Sequence, residues 1–146
     1  MDDEENKYEI LKDRPIKYLG STLYQIRALR DFGDVKKGEL GGFIAKESNL
    51  SHTDDCWVKQ FGKIFGNAEV SDDAEVSGNA EVSDDAEVFD NAKVFDNAEV
   101  FDNAKVFDNA KVYGTAVVYG TAVVYGTARV YGNARVSEGL ITEDVY

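Results

Sequence analysis

Residues 68–139 read AEVSDD AEVSGN AEVSDD AEVFDN AKVFDN AEVFDN AKVFDN AKVYGT AVVYGT AVVYGT ARVYGN ARVSEG. Ala recurs every six residues from Ala68 to Ala134, and Val follows two positions later each time, ending at Val136. A helix would scatter these positions around its circumference, because six residues is about 1.7 turns. In a strand, residues two apart share a face, so Ala and Val point one way and the residue between them points the other. The next three positions hold Ser, Phe or Tyr, then Gly or Asp, then Asn, Asp or Thr. Gly, Asn and Asp tolerate the left-handed backbone that a sharp corner needs. A two-residue strand and a corner every six residues predict a triangular prism. Three hexads make one coil of 18 residues, and the coils stack as parallel sheets.

The register runs backward more weakly. Gly62 and Ile64, then Cys56 and Val58, hold the Ala and Val slots, and Leu50 holds another Ala slot. Residues 50–137 are therefore expected to form the β-helix, with about five regular coils. Residues 15–49, with YQIRAL as the clearest strand and DFGD and KKGELGG as turns, read as a small N-terminal β cap over the first coil's open edges. Residues 1–14 read as a flexible acidic tail, and residues 138–146 as a C-terminal tail or cap. The Ala slots sit in a narrow core where a larger side chain does not fit.

The motifs GNAEV (66–70), GNAEV (78–82), DNAKV (90–94) and GNARV (132–136) resemble the hexapeptide-repeat, left-handed parallel β-helix superfamily in its GNAxV-type subgroup. The segment YQIRALRDFGDVKKGELGGFIAKESNLS (24–51), followed by CWV (56–58), is similar to the N-terminal cap of uncharacterised bacterial and phage proteins of that subgroup. Such proteins are often filed as transferases or polymer-forming proteins. The resemblance implies an all-β fold, left-handed coils and a homo-oligomer, a trimer or dimer. The superfamily supports enzymes and non-enzymes alike, so it does not carry a function.

The chain has 146 residues, 16 Lys+Arg against 28 Asp+Glu, and a formal charge of −12. That acidity disfavours direct nucleic-acid or anionic-membrane binding, since both are polyanions. No apolar run approaches the roughly 18 residues of a membrane span. The start, MDDEEN, lacks the order of a signal peptide, and a lone Cys56 makes no internal disulfide. A soluble cytoplasmic protein is expected, in the host cytoplasm if phage-encoded.

Placed on 18-residue coils, the charge becomes a gradient. Residues 66–90 hold nine acids and no base, whereas 113–136 hold Arg129, Arg135 and no acid. The acidic end, with Glu69, Asp72, Glu75, Asp84, Glu87 and Asp90, is the expected partner-binding surface. At the far end Val117 and Val123 take outward slots among Tyr113, Tyr119, Tyr125 and Tyr131, an apolar patch expected to form an oligomer interface. The aromatic columns also hold register by same-face packing, and that is the larger part of their expected role. Asp72, Asp90 and Asp108 lie 18 apart, as do Asp84 and Asp102. Turn chemistry explains these better than a cation site, which wants six or more oxygens; stacked like charges still need relief. No metal and no cofactor is expected.

Four uses of this surface are open. In the first, a non-enzymatic protein of phage or prophage origin binds and inhibits a host factor, in antiviral defence, through the acidic and aromatic faces. In the second, an oligomer sequesters a small nucleotide, with aromatics on the base and Lys93, Lys105, Arg129 or Arg135 on the phosphates. The third is a self-assembling scaffold. The fourth is a hexapeptide-repeat acyltransferase with His52, the only histidine, as general base oriented by Asp54 or Asp55. Near-identical hexads favour the non-enzymatic classes, because a catalytic pocket needs different groups converging on one point. Thr115, Thr121 and Thr127 fall on three corners and cannot form one flat ice-binding array. Cys56 reads as a buried small residue and not as a nucleophile.

Overall fold

The computed structural model describes residues 6–146. Nearly all regular structure is β. The repeat forms a parallel three-faced β-solenoid. The first face carries β4 (Leu40–Ile44), β6 (Lys63–Ile64), β9 (Glu81–Val82), β12 (Glu99–Val100), β15 (Val117–Val118) and β18 (Arg135–Val136). The second carries β7 (Glu69–Val70), β10 (Glu87–Val88), β13 (Lys105–Val106), β16 (Val123–Val124) and β19 (Leu140–Ile141). The third carries β5 (Trp57–Val58), β8 (Glu75–Val76), β11 (Lys93–Val94), β14 (Lys111–Val112) and β17 (Arg129–Val130). Registers such as Glu87↔Lys105 and Val100↔Val118 keep residues 18 apart in direct contact.

The core follows from the alternation. Val76 to Val130 and Ala74 to Ala122 in their slots are fully buried, while the residue between each pair faces outward. Each corner is closed by the Ala N–H donating to the carbonyl three residues back, as in Ala92 to Phe89. Outward residues also donate their N–H to the next coil, as in Glu99 to Ala116 and Val117 to Ala134. Backbone groups along the coils are thus satisfied coil to coil, and the interior is left to Ala and Val.

The cap is built from β1 (Tyr8–Ile10), β2 (Ile16–Tyr18), β3 (Ser21–Ala28) and β4. β4 runs parallel to β6, β3 pairs antiparallel with β4, and β1 pairs antiparallel with β3. β1 therefore points the same way as the coil strands. The structure corrects the expected tail of residues 1–14. Residues 1–5 lie outside the described residues, but Lys7 and Tyr8 are buried and β1 is part of the first-face sheet. The alternation Tyr8-Glu9-Ile10 carries a strand signal that the surrounding charge hides.

The cap also hides coil residues that repeat logic would leave outside. Trp57 occupies an outward slot opposite Glu75, yet is 2% exposed. Phe32 and Tyr8 meet its ring edge-on, and Gly41 is seated so close that a Cβ there would lie 2.7 Å from the indole. The β2–β3 hairpin lies over the first face. There the Tyr18 hydroxyl donates to Glu81, and the ring packs edge-on against the buried Phe65. At the other end, β19 continues the second face one residue early, with Val123 opposite Leu140. Val145 bridges to Val130 on the third face.

Candidate binding surfaces

The corners come first, because the fold fixes their chemistry. Asp72, Asp84, Asp90, Asp96, Asp102 and Asp108 all adopt left-handed backbone with φ of 57–59°. Gly66, Gly78, Gly114, Gly120, Gly126 and Gly132 take the same slot elsewhere. The carboxylates are not idle turn residues. Asp72 accepts the N–H of Asp90 at 3.1 Å, and Asp90 accepts that of Asp108 at 3.1 Å. Asp84, Asp96, Asp102 and Asp108 accept in the same way from the residue 18 further on. The backbone N–H of each corner thus supplies the relief that stacked like charges need. A charge-assisted bond of this kind is stronger than a neutral one. Among the described residues no group of three or more His, Cys, Asp or Glu is arranged to hold a metal ion.

The corner between the second and third faces is the most acidic. An open groove there is lined by Asp54, Asp72, Asp73, Asp90 and Asp108. Of the expected acidic surface, Asp72 and Asp90 lie on this corner, and Glu69 and Glu87 lie on the second face beside it. Glu75 sits on the third face, between Lys59 at 3.5 Å and Lys93 at 3.4 Å. Asp84 lies on the opposite corner of the second face, and Glu87 faces Lys105 at 3.9 Å. These exposed pairs contribute little to stability, but they reduce the negative potential locally. The coherent acidic element is therefore the corner column. Asp54, Asp73 and Asp108 belong to it although the expected set omits them. The 18-residue spacing of Asp72, Asp90 and Asp108 was the signal that could have found the last of these.

The expected oligomer patch does not form one surface. Tyr113 and Tyr131 stack with Phe95 on one corner, Tyr119 stacks with Phe101 on a second, and Tyr125 stacks with Phe107 and Phe89 on the third. Centroid separations of 4.8–5.4 Å place each ring face on its neighbour one coil away. Val117 is corrected outright, since it is 7% exposed within the single chain. Its strand neighbours are Glu99 and Arg135, and the Arg135 guanidinium lies over the Tyr119 ring. Long side chains cover an apolar neighbour with their stems. Val123 is half-buried.

The four candidate phosphate contacts are also separated. Lys93 and Arg129 belong to the third face, Lys105 to the second and Arg135 to the first. Within one chain they meet at no common point. The basic column that does align is Lys93, Lys111 and Arg129. Asp144 takes Arg129 at 2.7 Å, and that pairing holds the Asp144 carboxyl below its usual range.

His52 is a structural residue of the cap. Its Nδ1 accepts the backbone N–H of Lys7 at 3.0 Å, which leaves Nε2 to carry the proton and face Glu47 at 2.9 Å. Glu47, and not Asp54 or Asp55, orients the ring. Tyr8 stacks on it at 4.1 Å, with its hydroxyl donating to the Leu50 carbonyl at 2.6 Å. Below lies the buried Lys7 ammonium, which donates to the Cys56 and Asp54 carbonyls at 2.6 and 3.1 Å. Its Nζ is 3.4 Å from Cys56 Sγ and lies over the Phe32 ring. Burial lowers the Lys7 pKa and raises that of the Cys56 thiol. Cys56 is fully buried in the core, as its slot requires. The cluster clamps β1 to the first coil and leaves neither imidazole nitrogen unpaired.

Residues 128–141 match the family model of the YdcK Beta solenoid repeat, in agreement with the coil geometry. A comparison with curated proteins gives no match. No helix among the described residues is long and apolar enough to cross a membrane.

Proposed function

We propose that this protein is a non-enzymatic binding protein that holds a basic partner along the corner between its second and third faces. The observation that carries this reading is the single column of Asp54, Asp72, Asp90 and Asp108, widened by Asp73, along one open groove. Each coil contributes a carboxylate at a spacing of about 4.8 Å. The backbone bond to the next coil fixes Asp72, Asp90 and Asp108 in place, so little side-chain freedom is lost on binding. The single histidine is spent on the cap, and the acidic corner groove offers mainly carboxylates where catalysis would need several kinds of group. Such a column suits a protein surface rich in Lys and Arg, including one that ordinarily holds nucleic acid. Inhibition of a host factor of that kind, by a phage-derived protein acting in the cytoplasm, is the use this chemistry fits.

The test is a binding titration with an oligolysine peptide as a model basic partner, at low and moderate salt. Asp72, Asp90 and Asp108 are changed together to Asn, which keeps an acceptor oxygen and tolerates the left-handed backbone. Affinity should fall steeply with salt and collapse in the variant, while the melting temperature holds or rises. Equal binding by the variant, or affinity indifferent to salt, rejects the acidic corner as the binding surface.

A further inference from the structure

The first-face sheet ends, among the described residues, in two unpaired edges: β18 at the C-terminal end and β1 at the cap end. In the coils, outward residues donate their N–H onward, as Val117 does to Ala134, and the residue after each Val does the same, as Tyr119 to Val136. By the same period, the N–H and C=O of Arg135 and the N–H of Ser137 point past the end of the prism. Residues 138–146 turn away to the second and third faces. Ala134 and Val136 are 7% and 8% exposed, whereas Ala116 and Val118 one coil earlier are fully buried.

At the cap end, Leu11 donates to Gln25 and Leu29 to Lys7, with Glu9 directly opposite Arg27. Residues 7, 9 and 11 therefore face β3. The N–H and C=O groups of Tyr8 and Ile10 face the other way, along an open groove lined by Tyr8, Glu9, Ile10 and Lys12.

From these two edges we infer that copies of this chain stack head to tail, with β18 of one copy adding to β1 of the next. β1 already runs parallel to β4 and the coil strands, so β18 of a second copy can add to it as a parallel strand. One register of the parallel ladder engages both Tyr8 and Ile10. Arg135 N–H donates to the Tyr8 carbonyl, Ile10 N–H donates to the Arg135 carbonyl, and Ser137 N–H donates to the Ile10 carbonyl. That register sets Arg135 opposite Glu9, both on the outer side of the sheet. Glu9 already holds Arg27 at 2.6 Å, so an Arg–Glu–Arg row would cross the junction. The Arg135–Glu9 pairing across the junction favours head-to-tail contact. The contact is heterologous, and with copies following one another end to end its growth is open-ended unless the rotation closes a ring. This inference concerns the ends of the prism and is independent of the acidic-corner reading.

Sedimentation velocity over a wide concentration range, with electron microscopy of the largest species, tests it. The wild type should give a growing series of end-to-end assemblies. Arg135→Glu sets like charges together and should weaken association by about tenfold or more. Ser137→Pro removes one edge donor and leaves the β1 edge intact. It should be unable to extend itself, yet a small fraction added to wild type should shorten the assemblies. Each variant is first checked for an unchanged melting temperature. A wild type that stays monomeric, or stops at a closed dimer or trimer, overturns the inference. So does a Ser137→Pro protein that fails to shorten wild-type assemblies.

Discussion

Asp90 is where the structure makes its most quantitative claim. The residue has φ of 57° and its Oδ2 accepts the Asp108 N–H at 3.1 Å. Three substitutions separate the two contributions. Alanine loses the bond and meets the full steric cost of left-handed backbone. The bond is half-exposed, so about 1 kcal/mol is a fair share of the range for charged acceptors. The backbone costs about 1 kcal/mol more for Ala than for Asp. Asp90→Ala should then cost about 2 kcal/mol. Glycine loses the bond but relieves the backbone, and should cost about 1 kcal/mol or less. Asparagine keeps an acceptor, keeps the left-handed tolerance and removes one of the stacked charges, so its cost should be near zero. Thermal unfolding followed by circular dichroism would show Ala lowest, with a melting temperature reduced by roughly 6–8 °C, then Gly, then Asn near wild type. If Asn falls as far as Ala, the carboxylate's charge and not its acceptor geometry holds the corner, and the hydrogen-bond explanation of the Asp ladder fails.

Three further outcomes follow from the core and the cap. Ala98 is fully buried in a narrow prism; Ala98→Leu should overpack it and cost about 1–3 kcal/mol in denaturant unfolding. The Tyr18 pKa is pushed up to about 12, mainly by its hydrogen bond to Glu81. A raised folded-state value means that the contribution is complete below about pH 10 and is lost as pH rises towards 12. The stability difference between wild type and Tyr18→Phe should be constant up to about pH 10 and vanish by about 12; a difference that survives there would contradict the pairing. Lys7→Met removes the donor to the Cys56 and Asp54 carbonyls and should destabilise the cap by about 2 kcal/mol. Amide exchange should then quicken across Tyr8–Ile10 while the coils stay protected.

The coils were legible from the sequence because one rule, repeated twelve times, fixes strand, corner and core together. Their 18-residue registers also follow from that rule, and so do the corner columns. The cap was not legible in the same way, since each of its contacts occurs once. Trp57 sits in an outward slot by period and is buried only because Phe32, Tyr8 and Gly41 close over it. Lys7 looks like a tail residue until the carbonyls of the first coil are placed above it. Val117 failed for a related reason: period tells which way a side chain starts, not how much of it the chain leaves exposed between Glu99 and Arg135. The candidate sites suffered most, because sorting charges along the axis does not sort them around it.

The core repeats every six residues, but surface residues come into line only every 18. Insertion or loss of one hexad would therefore leave Ala on Ala and Val on Val, and the interior would close as before. Everything beyond the change would be turned by one face. Lys105 would then stand in line with a different row, the aromatic stacks would move to new corners, and the ends would no longer face each other in the same orientation. Changes of three hexads restore all of it. Length is thus a variable with a fixed step: the protein can grow or shrink by whole coils with its pattern of charges and rings unbroken, while the hydrophobic interior alone would accept any hexad.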